Sequence, residues 1–106
     1  MADDRGVIDH VLDLLADVPG VSATRFFGGW GVLHHGAHVG MVNREVVYAR
    51  VAEPDRDAWE ARGDSVPFEY ERRGRTVVVR GYWTVPADGL EDPTALAGYL
   101  GLDAVQ

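Results

Sequence analysis

The sequence contains no cysteine and no lysine. Without a thiol there is no disulfide framework, no thiolate nucleophile and no cysteine-ligated zinc or iron–sulfur centre, a composition that fits a reducing compartment. All ten basic residues are arginine, set against seventeen Asp and Glu, for a formal net charge of -7. Such a charge repels a phosphate backbone, whereas autonomous nucleic-acid binders carry a basic footprint, so direct nucleic-acid binding is disfavoured. Long apolar runs are missing too. None approaches the roughly 18 residues of a membrane span, and Met1-Ala2-Asp3-Asp4-Arg5 lacks the basic region of a signal peptide. The expectation is a cytoplasmic protein without membrane contact. Serine is confined to Ser22 and Ser65, neither in a Gly-x-Ser-x-Gly elbow, and no carboxylate pair is singled out by spacing, so the chain is not read as an enzyme.

What is present reads as one domain over residues 1–106, with 46% hydrophobic and 25% charged residues. Val7, Ile8, Val11, Leu12, Leu15 and Val18 recur at helical spacing and predict a first helix from Val7 to Val18, ended by Pro19-Gly20. Asp9, Asp13 and Asp17 then form its solvated stripe. Runs rich in Val, Phe, Tyr and Trp predict strands at Ser22 to Phe27, Trp30 to His34, His38 to Val42 and Val46 to Val51. Gly28-Gly29, His35-Gly36 and Asn43-Arg44 supply the turns.

Glu53-Pro54-Asp55 opens a second helix that stops at Gly63, with Trp59 as its one large apolar side chain. A second hairpin runs from Pro67 to Arg73 and Arg75 to Val85, and Asp92-Pro93 starts a last helix bearing Leu96, Tyr99 and Leu100. The order α-β-β-β-β-α-β-β-α with short connections predicts an α+β fold, a mainly antiparallel sheet with helices on one face.

Several groups of residues invite a chemical reading. Gly28-Gly29-Trp30-Gly31 resembles a phosphate loop, but strands flank it where such loops open a helix, so a hairpin is the better reading. His34, His35 and His38 surround one turn without a Cys or nearby carboxylate to complete a ligand set, and are read as surface histidines. No metal and no cofactor is expected. Arg72, Arg73 and Arg75 cluster at a hairpin tip, where they protect an edge or grip an acidic partner. By the strand period of two, Arg25 pairs with Phe27, Tyr48 with Arg50, and Arg80 with Tyr82. If these faces coincide, Arg25, Tyr48, Arg50 and Tyr82 form a patch suited to a carboxylate or phosphate ligand, with Gly28 and Gly29 beside it.

The string Arg25-Phe26-Phe27-Gly28-Gly29-Trp30-Gly31, then Gly36 and Val47-Tyr48-Ala49-Arg50-Val51, resembles the TfoX (Sxy) N-terminal domain family. Pro67-Phe68-Glu69-Tyr70, Gly74, Tyr82-Trp83-Thr84-Val85-Pro86 and Leu90-Glu91-Asp92-Pro93 follow in the family's order. Phe26 stands where the family usually has Met, and Arg50 where it usually has Lys. The resemblance implies a secretion-chaperone-like α+β fold and no established catalytic residues. Its founding members look like competence regulators that act with the cyclic-AMP receptor protein and carry a second, C-terminal domain without counterpart in these 106 residues. Together these readings lead to a non-enzymatic regulatory module whose partner is another protein, with a small acidic ligand on the Arg/Tyr patch as the alternative. Edge strands and Trp30 or Trp83 leave room for a homodimer.

Overall fold

The computed structural model describes residues 4–102; Met1-Ala2-Asp3, read above for the lack of a signal peptide, lies outside them. Helix α1 (Arg5–Leu14) precedes strands β1 (Val21–Phe26), β2 (Gly29–His34), β3 (Ala37–Asn43) and β4 (Val46–Arg50). Helix α2 (Arg56–Arg62), strands β5 (Pro67–Arg72) and β6 (Arg75–Thr84) and helix α3 (Pro93–Tyr99) follow. The six strands form one sheet in the order β1-β2-β3-β4-β6-β5, with every neighbouring pair antiparallel. The fold is α+β, with the element order read from the sequence.

One face of the sheet carries the core. Ile8, Val11 and Leu15 descend from the α1 segment and Leu96, Ala97 and Leu100 from α3 onto Val32, Val42, Val47 and Ala49. Each large aliphatic side chain so buried contributes about 1.5–3 kcal/mol relative to exposure. The first helix is shorter than its apolar period implies. It ends at Leu14, and the chain continues through tight turns in which Val18 N–H donates to Leu15 O at 2.9 Å. Leu15 and Val18 still pack on the core, so their spacing reflects burial of a turn and not a further helical turn. Residues 53–55 form a single 3-10 turn ahead of α2, and Gly63 ends that helix at φ 80°. Asp92 caps α3 by accepting from Thr94 N–H at 3.1 Å, with Pro93 at the first helical position.

Four two-residue hairpins join the strands, and both central residues of each have positive φ: Phe27-Gly28, His35-Gly36, Arg44-Glu45 and Arg73-Gly74. That is the requirement of the type I′ turn, whose twist matches the strands it joins. Two turns are therefore displaced by one residue from the sequence reading. The first is Phe27-Gly28, and Gly29 opens β2 because a Cβ there would press on Val42 O and meet Asp4 Oδ2 at 3.2 Å. The third is Arg44-Glu45, and Asn43 belongs to β3, its side-chain amide donating to Phe27 O at 3.0 Å.

The β5–β6 ladder is interrupted. Pro67 pairs with Trp83 but Phe68 pairs with Val79, so β6 bulges over residues 80–82. The bulge is held by Trp83 Nε1, which donates to Arg80 O at 2.8 Å, and by Val51 N–H, which donates to Gly81 O at 2.8 Å.

Candidate functional site

No helix among the described residues lies on the opposite face of the sheet, which is covered by its own aromatic side chains. Met41, 1% exposed, forms the floor. Phe26 packs against His38 at 4.5 Å, tilted by 44°, and lies 6.2 Å from Tyr82 between ring centroids. Phe68 meets Tyr48 at 5.2 Å and Phe27 at 5.6 Å, and Phe27 meets Tyr70 at 5.3 Å, all three edge-on. Such contacts are worth about 0.5–1.5 kcal/mol each beyond area burial. Between these rings, with Val79 at one side, lies an apolar slot of about 200 Å³. A pocket for a small organic ligand typically holds about 300–1,000 Å³. The slot has the size of one inserted side chain.

Phe27 is the rim of this slot and the least expected residue in it. It is 53% exposed and sits at φ 55°. A left-handed conformation costs an ordinary residue roughly 1–2 kcal/mol, and Asn-Gly is the preferred pair for this turn. The ring contacts offset part of that cost, yet half the ring still faces water. Burial pushes the phenols of Tyr48 and Tyr82 above the usual tyrosine range, so both are neutral hydrogen-bonding groups at physiological pH.

Beyond Phe27 the slot opens into a polar cleft of about 610 Å³ lined by Asp4, Asn43, Arg44, Glu45 and Glu69. Asp4, only 5% exposed, is a buried carboxylate at the edge of this cleft. Its carboxylate accepts from Arg44 N–H at 3.1 Å and Glu45 N–H at 2.6 Å. These are the two amides of a turn built from two non-glycine residues in the left-handed region, at φ 50° and 69°. The carboxylate fills the anion-binding concavity that such successive amides create and ties the start of α1 to the β3–β4 turn.

The residues of the sequence-derived patch come together only in part. Tyr48, Arg50 and Tyr82 lie on the helix-free face, where Arg50 pairs with Tyr82 across β4 and β6. Arg25 lies on the other face: it pairs with Trp30 and holds its guanidinium 4.7 Å from the indole centroid, and Trp30 packs on the core. Arg80 parts from Tyr82 for another reason. The bulge breaks the alternation and turns Arg80 to the helix side, where it meets Glu60 at 2.9 Å. Gly28 borders the polar cleft, and Gly29 is buried beneath it. His34 and His35 meet at 4.3 Å with their rings tilted by 52°, away from His38 on Phe26, and the described residues hold no group of three metal-ligating side chains. Trp83 is 2% exposed and Trp30 half-buried, so neither offers the open apolar surface read from the sequence.

A second cleft, between α2 and α3, contains a closed polar network. Arg62 makes a bidentate pair with Asp64 at 2.9 Å and donates to Tyr99 Oη, which donates to Asp88 at 2.8 Å. This hydrogen bond from Arg62 holds the Asp64 carboxyl below its usual range. The network engages Arg62 Nε and Nη2 within the protein, and Arg50 also lines this cleft. Ser65 Oγ is likewise engaged, donating to Thr84 O at 2.6 Å. No helix among the described residues is long and apolar enough to cross a membrane.

Sequence reasoning missed Phe27, Phe68, Met41 and Asp4. An aromatic residue directly before the Gly-Gly turn was the available signal for Phe27; the long-range pairing of Asp4 with residues 44 and 45 had none. Residues 13–101 match the family model described as TfoX N-terminal domain. No curated protein matches the chain.

Proposed function

The chain belongs to the TfoX N-terminal domain family, and from that premise we propose that it is a non-catalytic, cytoplasmic regulatory module that binds another protein through the helix-free face of its sheet. The observation that carries this reading is Phe27, a half-exposed aromatic held in a left-handed turn at the mouth of a slot sized for one side chain. All four hairpins hold a non-glycine residue at φ 50–55° in the first turn position, so the half-exposed ring beside the slot supports recognition and the backbone conformation does not. Aromatic anchors around a small desolvated pocket are also what concentrate energy in protein interfaces. The competing reading, a small acidic ligand on Arg25, Tyr48, Arg50 and Tyr82, loses Arg25 to the other face and keeps Arg50 as its one guanidinium.

The test is affinity capture from cell extract with the wild-type domain and with Phe27→Asn, which keeps a favoured turn while deleting the ring. A protein retained by the wild type and lost with the variant is expected. Co-purification of a metabolite with no protein partner would overturn the proposal.

A further inference from the structure

The arginines at the β5–β6 tip show a charge arrangement that the fold itself does not use. Arg72 and Arg75 face each other directly in the ladder, and Arg73 occupies the turn between them at φ 54°. Like charges placed directly opposite one another destabilise a strand pair. The protein has an excess of carboxylates, yet no ion pair found among the described residues involves the tip. Glu71, the nearest acid on β5, accepts instead from Thr76 Oγ1 at 2.7 Å. Edge protection alone does not require three arginines, because Glu69 and Glu71 already charge this strand.

The tip continues the aromatic slot. Phe68–Val79, Tyr70–Val77 and Arg72–Arg75 are successive same-face pairs along the hairpin. Phe68, Tyr70 and Val79 line the slot, while Val77 lines a groove with the three arginines. At roughly 3.3 Å per residue, the arginine row lies within about four residues of the slot for an extended peptide.

We propose that this track binds an acidic peptide segment of a partner protein, with one apolar side chain in the slot and Asp or Glu two to four residues away on Arg72, Arg73 and Arg75. The inference rests on the binding-module reading above and specifies its partner's chemistry. Nucleic acid fits less well: the net charge of -7 repels a phosphate backbone, and although Phe68 and Tyr70 lie near-parallel at 28°, Phe27 stands edge-on to both. A second copy fits less well also. The exposed large apolar side chains among the described residues are Phe27, Val46, Val66 and Val78, so Asp9 and Asp13 on α1 and Asp17 in the turn after it have no anchor beside them.

The experiment is selection from a random twelve-residue peptide display library on the wild type, on Arg72→Glu/Arg75→Glu and on Phe27→Asn, each checked for native amide dispersion by NMR. The wild type should enrich peptides with a Leu, Ile, Met, Phe or Trp anchor and acids two to four positions away. A synthetic peptide of the enriched pattern should bind at least tenfold more weakly to the arginine variant, and more weakly to the wild type in about 0.5 M salt. Anchor-bearing peptides without acidic bias, lost with Phe27→Asn but not with the arginine variant, would overturn the acidic assignment while leaving the binding module standing. Absence of any enrichment over both variants would overturn both. Binding of a labelled dT or rU dodecamer, or self-association in sedimentation, abolished by Arg72→Glu/Arg75→Glu would reassign the track to nucleic acid or to a second copy and overturn it equally.

Discussion

Replacing Asp4 by Ala removes the acceptor for two turn amides at once. Hydrogen bonds to a charged group are worth about 1.5–3 kcal/mol each, and the two here measure 3.1 and 2.6 Å. Arg44 and Glu45 are exposed, so their freed N–H groups recover part of this from water. The loss should be about 2–3 kcal/mol, at the low end for the pair. A domain of this size shifts its midpoint by roughly 4–8 °C per kcal/mol, so the melting temperature should fall by about 10 °C or more. Asp4→Asn retains a neutral acceptor and should lose about half as much. Urea unfolding measures these differences, with Asp9→Ala, an exposed position of α1, as the control expected within about 0.5 kcal/mol. An Asp4→Ala protein within about 0.5 kcal/mol of wild type would refute the idea that this carboxylate holds a turn made of two left-handed, non-glycine residues.

Other consequences follow from the bulge, the aromatic face and the tyrosines. Trp83→Phe leaves Arg80 O without its indole donor; urea unfolding should show a loss of about 1–3 kcal/mol, and the Val51 amide should exchange faster with solvent. Phe27→Asn trades lost ring contacts against relief of the left-handed strain and should change stability by less than about 1 kcal/mol, whereas Phe68→Ala, at a site 4% exposed, should cost about 3–5 kcal/mol. Because burial raises the Tyr48 and Tyr82 phenols above 10.0, their contribution to stability is full below the unfolded-state pKa and disappears as pH rises through the folded one. Absorbance titration at alkaline pH should show two late-ionising phenols and unfolding midpoints that fall above roughly pH 10.

The fold was legible because local signals agreed with it. Valine-rich alternation, glycine at three of the four hairpins and Pro at the start of α3 each act over a few residues. What failed were features set by distant contacts. Gly29 reads as a turn residue until the carbonyl of Val42 is placed against it, and Arg44-Glu45 reads as an unfavourable turn until Asp4 is folded onto its amides. The supposed arginine and tyrosine patch depended on unbroken alternation. The three-residue bulge in β6 sends Arg80 and Tyr82 to opposite faces, and Arg25 follows Trp30 to the helix side. Tyr48, Arg50 and Tyr82 share a face as the period of two implies, but the slot beside them needed Phe27 and Phe68, which come together across 41 positions of sequence.

The central claim is that partners meet this domain on the aromatic face and not on the helices. Its most direct test is photo-crosslinking inside cells with a benzophenone amino acid at position 27, compared with the same group at position 13 on the exposed side of α1. A discrete covalent adduct with a second protein should form from position 27 and be absent from position 13. Adducts from position 13 alone, or equally from both positions, would contradict the account.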